Sequence, residues 1–191
     1  ARLVLPDEEA QRLIVMFDGE AWNGLPVEEA LRRLGGPATA AALVGSGPRP
    51  ERVTFLPDVE RVCRALEDVI AACRGAGLRD ISARERIIVC GQSLGGLAAA
   101  SCVVHARTEG GALMEQVAGM SLGGRRLVIQ YGRQEQVLGP LGRRFADTCR
   151  ASSAEVIEQE YPGGHDYAWW LTGLLDGLDT LAQLPSLAGG H

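Results

Sequence analysis

Arg86-Ile-Ile-Val-Cys-Gly91-Gln-Ser93-Leu-Gly95-Gly96-Leu-Ala-Ala-Ala100 is the stretch that decides the fold. Its apolar residues 87–90 predict a short strand buried on both faces, and the small residues from 94 to 104 predict a helix. Gly-x-Ser-x-Gly lies between them, with Ser93 at its centre. In this setting the pentapeptide indicates a nucleophile elbow, a sharp strand-to-helix turn that exposes a reactive serine. We therefore expect Ser93 to be a nucleophile, and an ordinary glycine-rich turn is the alternative.

The same turn predicts part of an oxyanion hole, the set of N–H donors that stabilises negative charge on a reacting carbonyl oxygen. Leu94 is the first residue of the predicted helix, where backbone N–H groups point outward along the axis. We expect a second donor from Glu20, in the segment Asp18-Gly19-Glu20 that follows the buried strand 13–17. Functional groups of an α/β sheet gather at the carboxyl ends of its strands, which favours this interpretation. A simple turn at Asp18-Gly19 is the alternative.

Apolar runs and amphipathic segments alternate along the chain, which predicts an α/β fold with a parallel sheet and crossover helices. We expect strands at 2–5, 13–17, 40–44, 87–90, 125–131 and 154–160, with a further short one at 117–121. The periodicity predicts helices at 26–34, 58–72, 94–105, 140–150 and 167–184.

Length and composition limit the possible functions. A chain of 191 residues with 46% hydrophobic and 23% charged residues is expected to form one domain, 1–191, with a full core. The net charge of −5 argues against nucleic acid as a partner, since phosphate binding needs a basic surface. No apolar stretch reaches the length of a membrane span. The five cysteines lack metal-ligand spacing, so we expect reduced thiols, no metal, no cofactor and a cytoplasmic protein.

His165 is the expected general base. It follows the last predicted strand in Tyr161-Pro-Gly-Gly-His165, the position at which a serine hydrolase of this sheet type brings its histidine. The alternative is a loop histidine that caps the final helix.

The partner acid is expected after an earlier strand, in the chain order serine, acid, histidine. Glu135 satisfies that order, 30 residues before His165. Asp147 falls in the middle of a predicted helix and should face solvent. Asp166 is adjacent to the histidine and is better suited to be the N-cap of the last helix.

Four segments together resemble the enterochelin (enterobactin) esterases, within the esterase-D-like branch of the α/β-hydrolases. The resemblance implies an α/β-hydrolase fold, with a mostly parallel central sheet flanked by helices on both faces. It implies that Ser93, His165 and Glu135 form the catalytic triad, and that Glu20 and Leu94 supply the oxyanion N–H groups. The segments that carry it are 14–22, 89–97, Gly132-Arg-Gln-Glu135 and Gly163-Gly-His-Asp-Tyr-Ala-Trp-Trp170.

The resemblance also implies a substrate. It is the cyclic trilactone of a catecholate siderophore such as enterobactin, a small molecule that is cleaved in the cytoplasm to release its iron. The sequence leaves open whether the ferric or the metal-free form is preferred. We expect Trp22 and Trp170 to offer flat apolar walls to a catechol ring, and Arg133 to offer a positive charge. In the alternative interpretation the tryptophans belong to the core and Arg133 is solvated.

Three departures from the family keep other functions open. Leu171 follows Trp170 where family members commonly carry arginine. The chain is short at 53–57 and 109–124, which indicates either a short lid or missing segments. The family's separate N-terminal substrate-binding domain is not in this chain, and Ala1 is not a natural start, so a leader or domain is expected to have been removed. The alternatives are a general carboxylesterase, thioesterase or acyltransferase, or a non-catalytic siderophore-binding protein. The oligomeric state is left open.

Overall fold

The computed structural model describes residues 1–6, 9–18, 38–78, 86–105 and 113–183. The chain divides into two compact units, 1–107 and 108–191. The helix expected at 26–34 lies outside the described residues. That the whole chain acts as one catalytic domain stays a prediction.

The first unit contains a four-stranded sheet with the strand order β1-β3-β2-β4. Strand β2 pairs in parallel with both β3 and β4, whereas β1 runs antiparallel to β3. The sheet is therefore mostly parallel, as expected. Its strands are β1 (Arg2–Val4), β2 (Arg12–Phe17), β3 (Thr39–Val44) and β4 (Ile87–Cys90).

The core of this unit lies between one face of the sheet and two helices. Leu13, Val15 and Phe17 of β2 point to this face, and all are fully buried. Two helices cover them, α2 (Val59–Gly75) and α3 (Leu94–His105). Ile14 and Met16 point to the opposite face and are equally buried. Strand β2 is thus buried on both faces, which explains its uninterrupted apolar sequence.

A short helix, α1 (Arg49–Phe55), precedes α2 and α3 in a segment where no helix was predicted. Pro48 and Pro50 suggest a loop, but Pro48 is the N-cap and Pro50 lies in the first turn. Proline is tolerated there because the N–H groups of the first turn have no partner inside the helix.

The second unit contains two parallel strands, β5 (Arg126–Gly132) and β6 (Glu155–Tyr161), flanked by helices on opposite faces. Helices α5 (Leu138–Ala151) and α6 (Tyr167–Gln183) follow one strand each. Tyr131 faces α5, where its ring approaches Gly142. The neighbouring Gln130 faces α6, and its amide donates a hydrogen bond of 2.5 Å to the carbonyl of Gly173. Since successive side chains of a strand alternate between faces, the helices lie on both sides of this strand pair, as expected.

The strand expected at 117–121 is wrong. This segment overlaps a short helix, α4 (Leu113–Ala118). Leu113 and Val117 are four residues apart and therefore lie on one face of a helix. Val117 is fully buried, and its carbonyl accepts a hydrogen bond of 2.6 Å from the Ser152 hydroxyl. The helical spacing covers a single turn in a glycine-rich segment, so it was not recognised in the sequence.

The cysteines are thiols without disulfide bonds. Cys73, Cys102 and Cys149 are buried, as expected, and Cys63 and Cys90 are half-buried. Burial raises the pKa of Cys149 to about 11, so this thiol stays protonated at neutral pH and acts as a small apolar side chain. Within the described ranges, no helix combines the length and apolar character that crossing a membrane requires.

Candidate active site

Ser93 lies in a sharp turn between β4 and α3. Its backbone is left-handed, with φ at 55°, and its side chain is exposed. The Gly95 N–H donates to the Gln92 carbonyl at 2.8 Å, and the Leu97 N–H donates to the Ser93 carbonyl at 3.1 Å. Ser93 is therefore the residue that caps α3, held in a conformation that costs a non-glycine residue about 1–2 kcal/mol. Strain of this kind clusters at functional sites. The backbone has the form that the motif predicts, and the nucleophilic role stays a prediction.

The glycines of the motif are required by close backbone contacts. A Cβ on Gly91 would lie 2.3 Å from the Gly95 carbonyl group, so the turn closes on itself. A Cβ on Gly95 would lie 2.9 Å from the carbonyl oxygen of Phe17 and 3.0 Å from the Cβ of Asp18. The elbow thus packs directly on the end of the neighbouring strand β2.

We expect Gly91→Ala to lower the free energy of unfolding by at least about 2 kcal/mol, because the added methyl group meets backbone atoms that must move. Urea unfolding followed by circular dichroism measures this change. Gly75→Ala is the matched control, since nothing lies within 4 Å of the added Cβ at the end of α2. The control should be neutral or slightly stabilising. Equal stability of Gly91→Ala and wild type would contradict the packing described for the elbow.

Asp18 anchors the chain where it leaves β2. Its backbone is also left-handed, with φ at 64°, and its side chain is almost completely buried. The carboxylate accepts hydrogen bonds from the Ser46 hydroxyl at 2.6 Å and from the Arg52 Nε at 2.7 Å. A buried carboxylate needs such partners, so the end of β2 is tied to α1 and to the segment that precedes it. The sequence did not indicate Ser46 or Arg52 as its partners, because nothing local links them to Asp18.

The structure describes one of the two predicted oxyanion donors, Leu94. Leu94 is the first residue of α3, and the first N–H groups of a helix have no partner inside it. Its N–H is therefore suited to a developing negative charge, and this role stays a prediction. Glu20, together with the proposed substrate wall Trp22, lies outside the described residues.

His165 and Glu135 form a direct contact. The Nδ1 of His165 lies 2.6 Å from the Oε1 of Glu135, and the Oε2 of Glu135 accepts a hydrogen bond of 3.0 Å from the Gly132 N–H. The Glu135 side chain is only 7% exposed, whereas that of His165 is 37% exposed. Because both carboxylate oxygens are engaged, the acid has a fixed orientation. A proton on Nδ1 facing this carboxylate leaves Nε2 as the basic nitrogen of the ring.

Two loops, one after β5 and one after β6, hold Glu135 and His165 next to each other. The Arg133 N–H donates to the carbonyl of Tyr161 at 2.9 Å, and the Gln134 N–H donates to that of Gly163 at 3.0 Å. A Cβ on Gly132 would lie 2.2 Å from the carbonyl oxygen of Gly163. The parallel pairing of β5 and β6 is thereby extended into the loops that carry the acid and the histidine.

Aromatic side chains adjoin the histidine. The rings of Trp170 and His165 are T-shaped, with centroids 4.5 Å apart and planes at 82°. The Tyr161 ring stacks on that of Trp169, with centroids 5.7 Å apart. Burial, with the charges of Glu135 and Asp166 adding to it, raises the pKa of Tyr161 to about 12. Sequence reasoning missed Tyr161, whose only signal was an aromatic residue at the end of the last strand.

Arg133 is at the surface, with its side chain 66% exposed. Its Nε donates to the Oε2 of Glu160 at 3.0 Å, and an ion pair this exposed contributes at most about 1 kcal/mol. Glu160 also lies 3.3 Å from the Nη2 of Arg143, so its carboxylate is shared between two arginines. The predicted contribution of Arg133 to substrate binding stays a prediction.

The two aspartates that were considered as alternative acids have structural positions. The Oδ1 of Asp166 accepts from the N–H groups of Ala168 at 3.1 Å and Trp169 at 3.2 Å, which confirms it as the N-cap of α6. Asp147 is 75% exposed and pairs with Arg150, so it faces solvent, as expected. In the part of the chain that the structure describes, no cluster of three or more His, Cys, Asp or Glu side chains is suited to a metal ion.

Comparison with known proteins identifies solved structures of similar fold. No protein-family model and no curated protein sequence matches the chain. Among solved structures, the enterochelin esterase of Shigella flexneri matches with a TM-score of 0.79 and 22% identity, covering 95% of this chain and 54% of that one. The enterobactin esterase of Shigella flexneri, solved in the presence of enterobactin, matches with a TM-score of 0.78 and 23% identity, covering 93% and 52%. The IroE-like serine hydrolase of Shewanella oneidensis matches with a TM-score of 0.67 and 16% identity, covering 93% and 73%.

These similarities concern the fold, because the identities are low. The chain spans about half the length of the two enterochelin esterase structures that it matches. The resemblance inferred from the four sequence segments is therefore confirmed as a structural one. This chain shares its α/β fold with solved enterochelin esterases and with an IroE-like serine hydrolase.

Proposed function

We propose that the chain is a serine esterase that hydrolyses the trilactone esters of a catecholate siderophore such as enterobactin. The observation that carries the esterase part is the left-handed, exposed Ser93 at the turn from β4 into α3. A non-glycine residue held in this conformation between a strand and a helix has the backbone geometry of a nucleophile elbow. The siderophore part is supported by the fold shared with a Shigella flexneri esterase that was solved in the presence of enterobactin.

In this proposal the reaction proceeds through an acyl-serine intermediate. The Ser93 hydroxyl oxygen attacks the ester carbonyl carbon while the Nε2 of His165 takes the hydroxyl proton. Glu135 holds the proton on Nδ1 and stabilises the imidazolium ion. The same proton then passes from Nε2 to the departing alkoxide, which leaves as the alcohol of the opened ring. Water, activated by His165, releases the acid and regenerates Ser93.

Negative charge develops on the carbonyl oxygen in both steps. We propose that the backbone N–H groups of Leu94 and Glu20 stabilise it. An oxyanion donor of this kind lowers the barrier by about 3–4 kcal/mol. Leu94 is suited to this role because its N–H belongs to the first turn of α3.

Recognition of the catecholate would use the surroundings of the histidine. Trp170 lies against His165, and it is proposed as a flat apolar wall beside the general base. Trp22 is proposed as a second wall. Arg133, two residues from Glu135, is proposed to attract an anionic catecholate or its ferric complex as substrate.

The proposed function is tested in two stages. Labelling by a fluorophosphonate probe, and its loss in Ser93→Ala, would establish an activated serine and exclude a binding protein that lacks turnover. Incubation with ferric and with metal-free enterobactin, followed by chromatography of the products, then tests the substrate. Ready cleavage of p-nitrophenyl butyrate with no cleavage of either trilactone would replace the siderophore assignment by a general carboxylesterase. Absence of labelling and of both cleavages would overturn the esterase itself.

Arg133→Ala is expected to raise KM for the catecholate trilactone about fivefold, corresponding to about 1 kcal/mol of binding free energy, with kcat little changed. The reason is that Arg133 is proposed to attract the anionic substrate and takes no part in the chemistry. Steady-state kinetics with both substrates measures this, and p-nitrophenyl butyrate turnover should be unaffected. Arg150→Ala is the matched control, since Arg150 is a partly exposed arginine of the same unit, paired with Asp147 and Glu158. An unchanged KM for the trilactone would remove Arg133 from the binding site.

A further inference from the structure

We propose that Ser46 and Arg52 act through Asp18 as positioning residues for the turn that carries Ser93. The proposal rests on the proposed function only in naming Ser93 as the nucleophile. Its structural content is a chain of contacts inside the first unit, from the segment around α1 to the start of α3. These contacts can be tested without any substrate.

Asp18 lies directly against Gly95, two residues after Ser93. A Cβ added to this glycine would lie 3.0 Å from the Cβ of Asp18 and 2.9 Å from the carbonyl oxygen of Phe17. Non-bonded carbon atoms are normally about 3.5–4.0 Å apart, so a methyl group does not fit between the two segments. The first turn of α3 is therefore seated on the backbone around Asp18, and a shift of Asp18 would move it.

The backbone of Asp18 adopts a conformation that has to be held in place. Its φ is 64°, in the left-handed region, as is the φ of 55° at Ser93. An L-residue in this region is sterically strained, and it stays there only where its surroundings fix it. Two strained residues, each following one of two paired strands, thus meet through Gly95.

The carboxylate of Asp18 supplies the restraint. Its Oδ1 accepts a hydrogen bond of 2.6 Å from the Ser46 hydroxyl. Its Oδ2 lies 2.7 Å from the Nε and 2.6 Å from the Nη2 of Arg52, and the side chain is 4% exposed. Rotating it would leave a buried charge without its partners, which is costly. Ser46 and Arg52 therefore fix the orientation of Asp18.

The strand order explains why the restraint reaches the elbow. Strand β2 lies between β3 and β4, so Asp18 at its end has the segment after β3 on one side and the turn after β4 on the other. Ser46 and Arg52 belong to the first, and Ser93 belongs to the second. The pairing of β2 with β4 extends to Met16 and Cys90, so the position of the turn beyond it depends on contacts such as that of Asp18.

Amide hydrogen exchange, followed residue by residue with NMR, tests the proposal directly. Two N–H groups report on the turn: that of Leu97 donates to the Ser93 carbonyl at 3.1 Å, and that of Gly95 donates to the Gln92 carbonyl at 2.8 Å. Ser46→Ala removes one donor to the carboxylate. We expect it to speed exchange at both amides about fivefold, the factor that corresponds to one ordinary hydrogen bond. Amides in the middle of α2 report on the unit as a whole and should change less.

Ser152→Ala is the matched control. Ser46 and Ser152 are both 5% exposed, and each hydroxyl donates a hydrogen bond of 2.6 Å. The acceptor of Ser152 is the carbonyl of Val117 in the second unit. The same group is thus removed from an equally buried position, and exchange at Gly95 and Leu97 should stay as in wild type.

Steady-state kinetics with p-nitrophenyl butyrate measures the catalytic consequence. Ser46→Ala and Arg52→Lys are each expected to lower kcat about fivefold with little change in KM, because they disturb the turn of the nucleophile. Arg52→Lys keeps the positive charge and loses the planar pair of donors. Arg52→Gln also loses the charge, so it should be the more damaging of the two, and the lysine variant should recover part of the activity.

Asp18→Gly tests whether both residues act through the same carboxylate. Glycine adopts the left-handed conformation freely and carries no side chain for Ser46 or Arg52 to hold. We expect it to lower kcat, and adding Ser46→Ala or Arg52→Lys to it should cause little further loss. Losses that multiply in the double variants would show that the two residues act independently of Asp18, which would overturn the proposal.

Wild-type exchange at Gly95 and Leu97 in both Ser46→Ala and Arg52→Lys would overturn the proposal, whatever the esterase assays show. Faster exchange with unchanged kcat would equally overturn the positioning role. Faster exchange in a protein that cleaves no ester would support the restraint on the turn while the proposed function fails. Should Arg52→Lys fail to fold, Ser46→Ala decides the question, because it leaves the ion pair of Asp18 in place.

Discussion

Ser93→Ala is expected to abolish ester hydrolysis, lowering kcat by a factor on the order of 10⁴–10⁶, while the fold remains intact. The substitution removes only the hydroxyl group, and the side chain is exposed, so packing changes little. Turnover of p-nitrophenyl butyrate and of a catecholate trilactone should be lost together, since both need the same acyl-serine. Active-site labelling by a fluorophosphonate should disappear as well.

Ser153→Ala is a closely matched control for this substitution. Ser153 is another exposed serine with a left-handed backbone, φ 71°, at the end of α5. The same chemical change in the same backbone conformation should leave hydrolysis and labelling intact. If Ser93→Ala retained turnover, or if both variants lost it equally, the assignment of the nucleophile would be wrong.

Glu135→Gln is expected to lower kcat on the order of 10³–10⁴-fold, with a smaller effect on KM. The Gly132 N–H needs an acceptor, so the amide oxygen of glutamine should take the place of Oε2. The amide NH₂ group then faces the Nδ1 of His165, which must become the acceptor. The ring proton moves to Nε2, where it prevents His165 from taking the serine proton. Steady-state kinetics, with the ring tautomer read by NMR, measures both parts of this expectation.

Two controls separate this effect from a general loss of charge. Glu155→Gln makes the same chemical change at the start of β6, where Glu155 pairs with Arg126 at 2.8 Å. Asp147→Asn removes an exposed charge on α5. Both should be close to neutral, since exposed ion pairs contribute little. A silent Glu135→Gln together with a damaging Asp147→Asn or Asp166→Asn would show that the acid has been misassigned.

The parts of the fold that follow local rules were predictable. The strand at 87–90, the turn at Ser93 and the helix after it were predicted from one contiguous segment, because the glycines, the apolar run and the small residues all specify the same backbone. The Glu135–His165 contact followed from chain order, since parallel strands bring their carboxyl ends to one edge. Helix α1 was not predicted because Pro48 and Pro50 are typical of a loop. Helix α4 was not predicted because it is only six residues long.

Long-range side-chain contacts were not predictable from this sequence alone. Arg52 reaches Asp18 across 34 residues, and no local pattern links them. The contact between the rings of His165 and Trp170 depends on how α6 packs after the loop, which periodicity does not specify. The proposed substrate follows from neither kind of information, because its recognition would depend on a few exposed groups, among which Arg133 is proposed, and exposure is compatible with many ligands.

The left-handed backbone at Ser93 sets a limit on how stable this protein can become. Glycine adopts this conformation without steric cost, so it would be the less strained residue here. The strain is present in the free protein and does not wait for a substrate. Stability and the proposed hydroxyl chemistry therefore make opposite demands on this one residue.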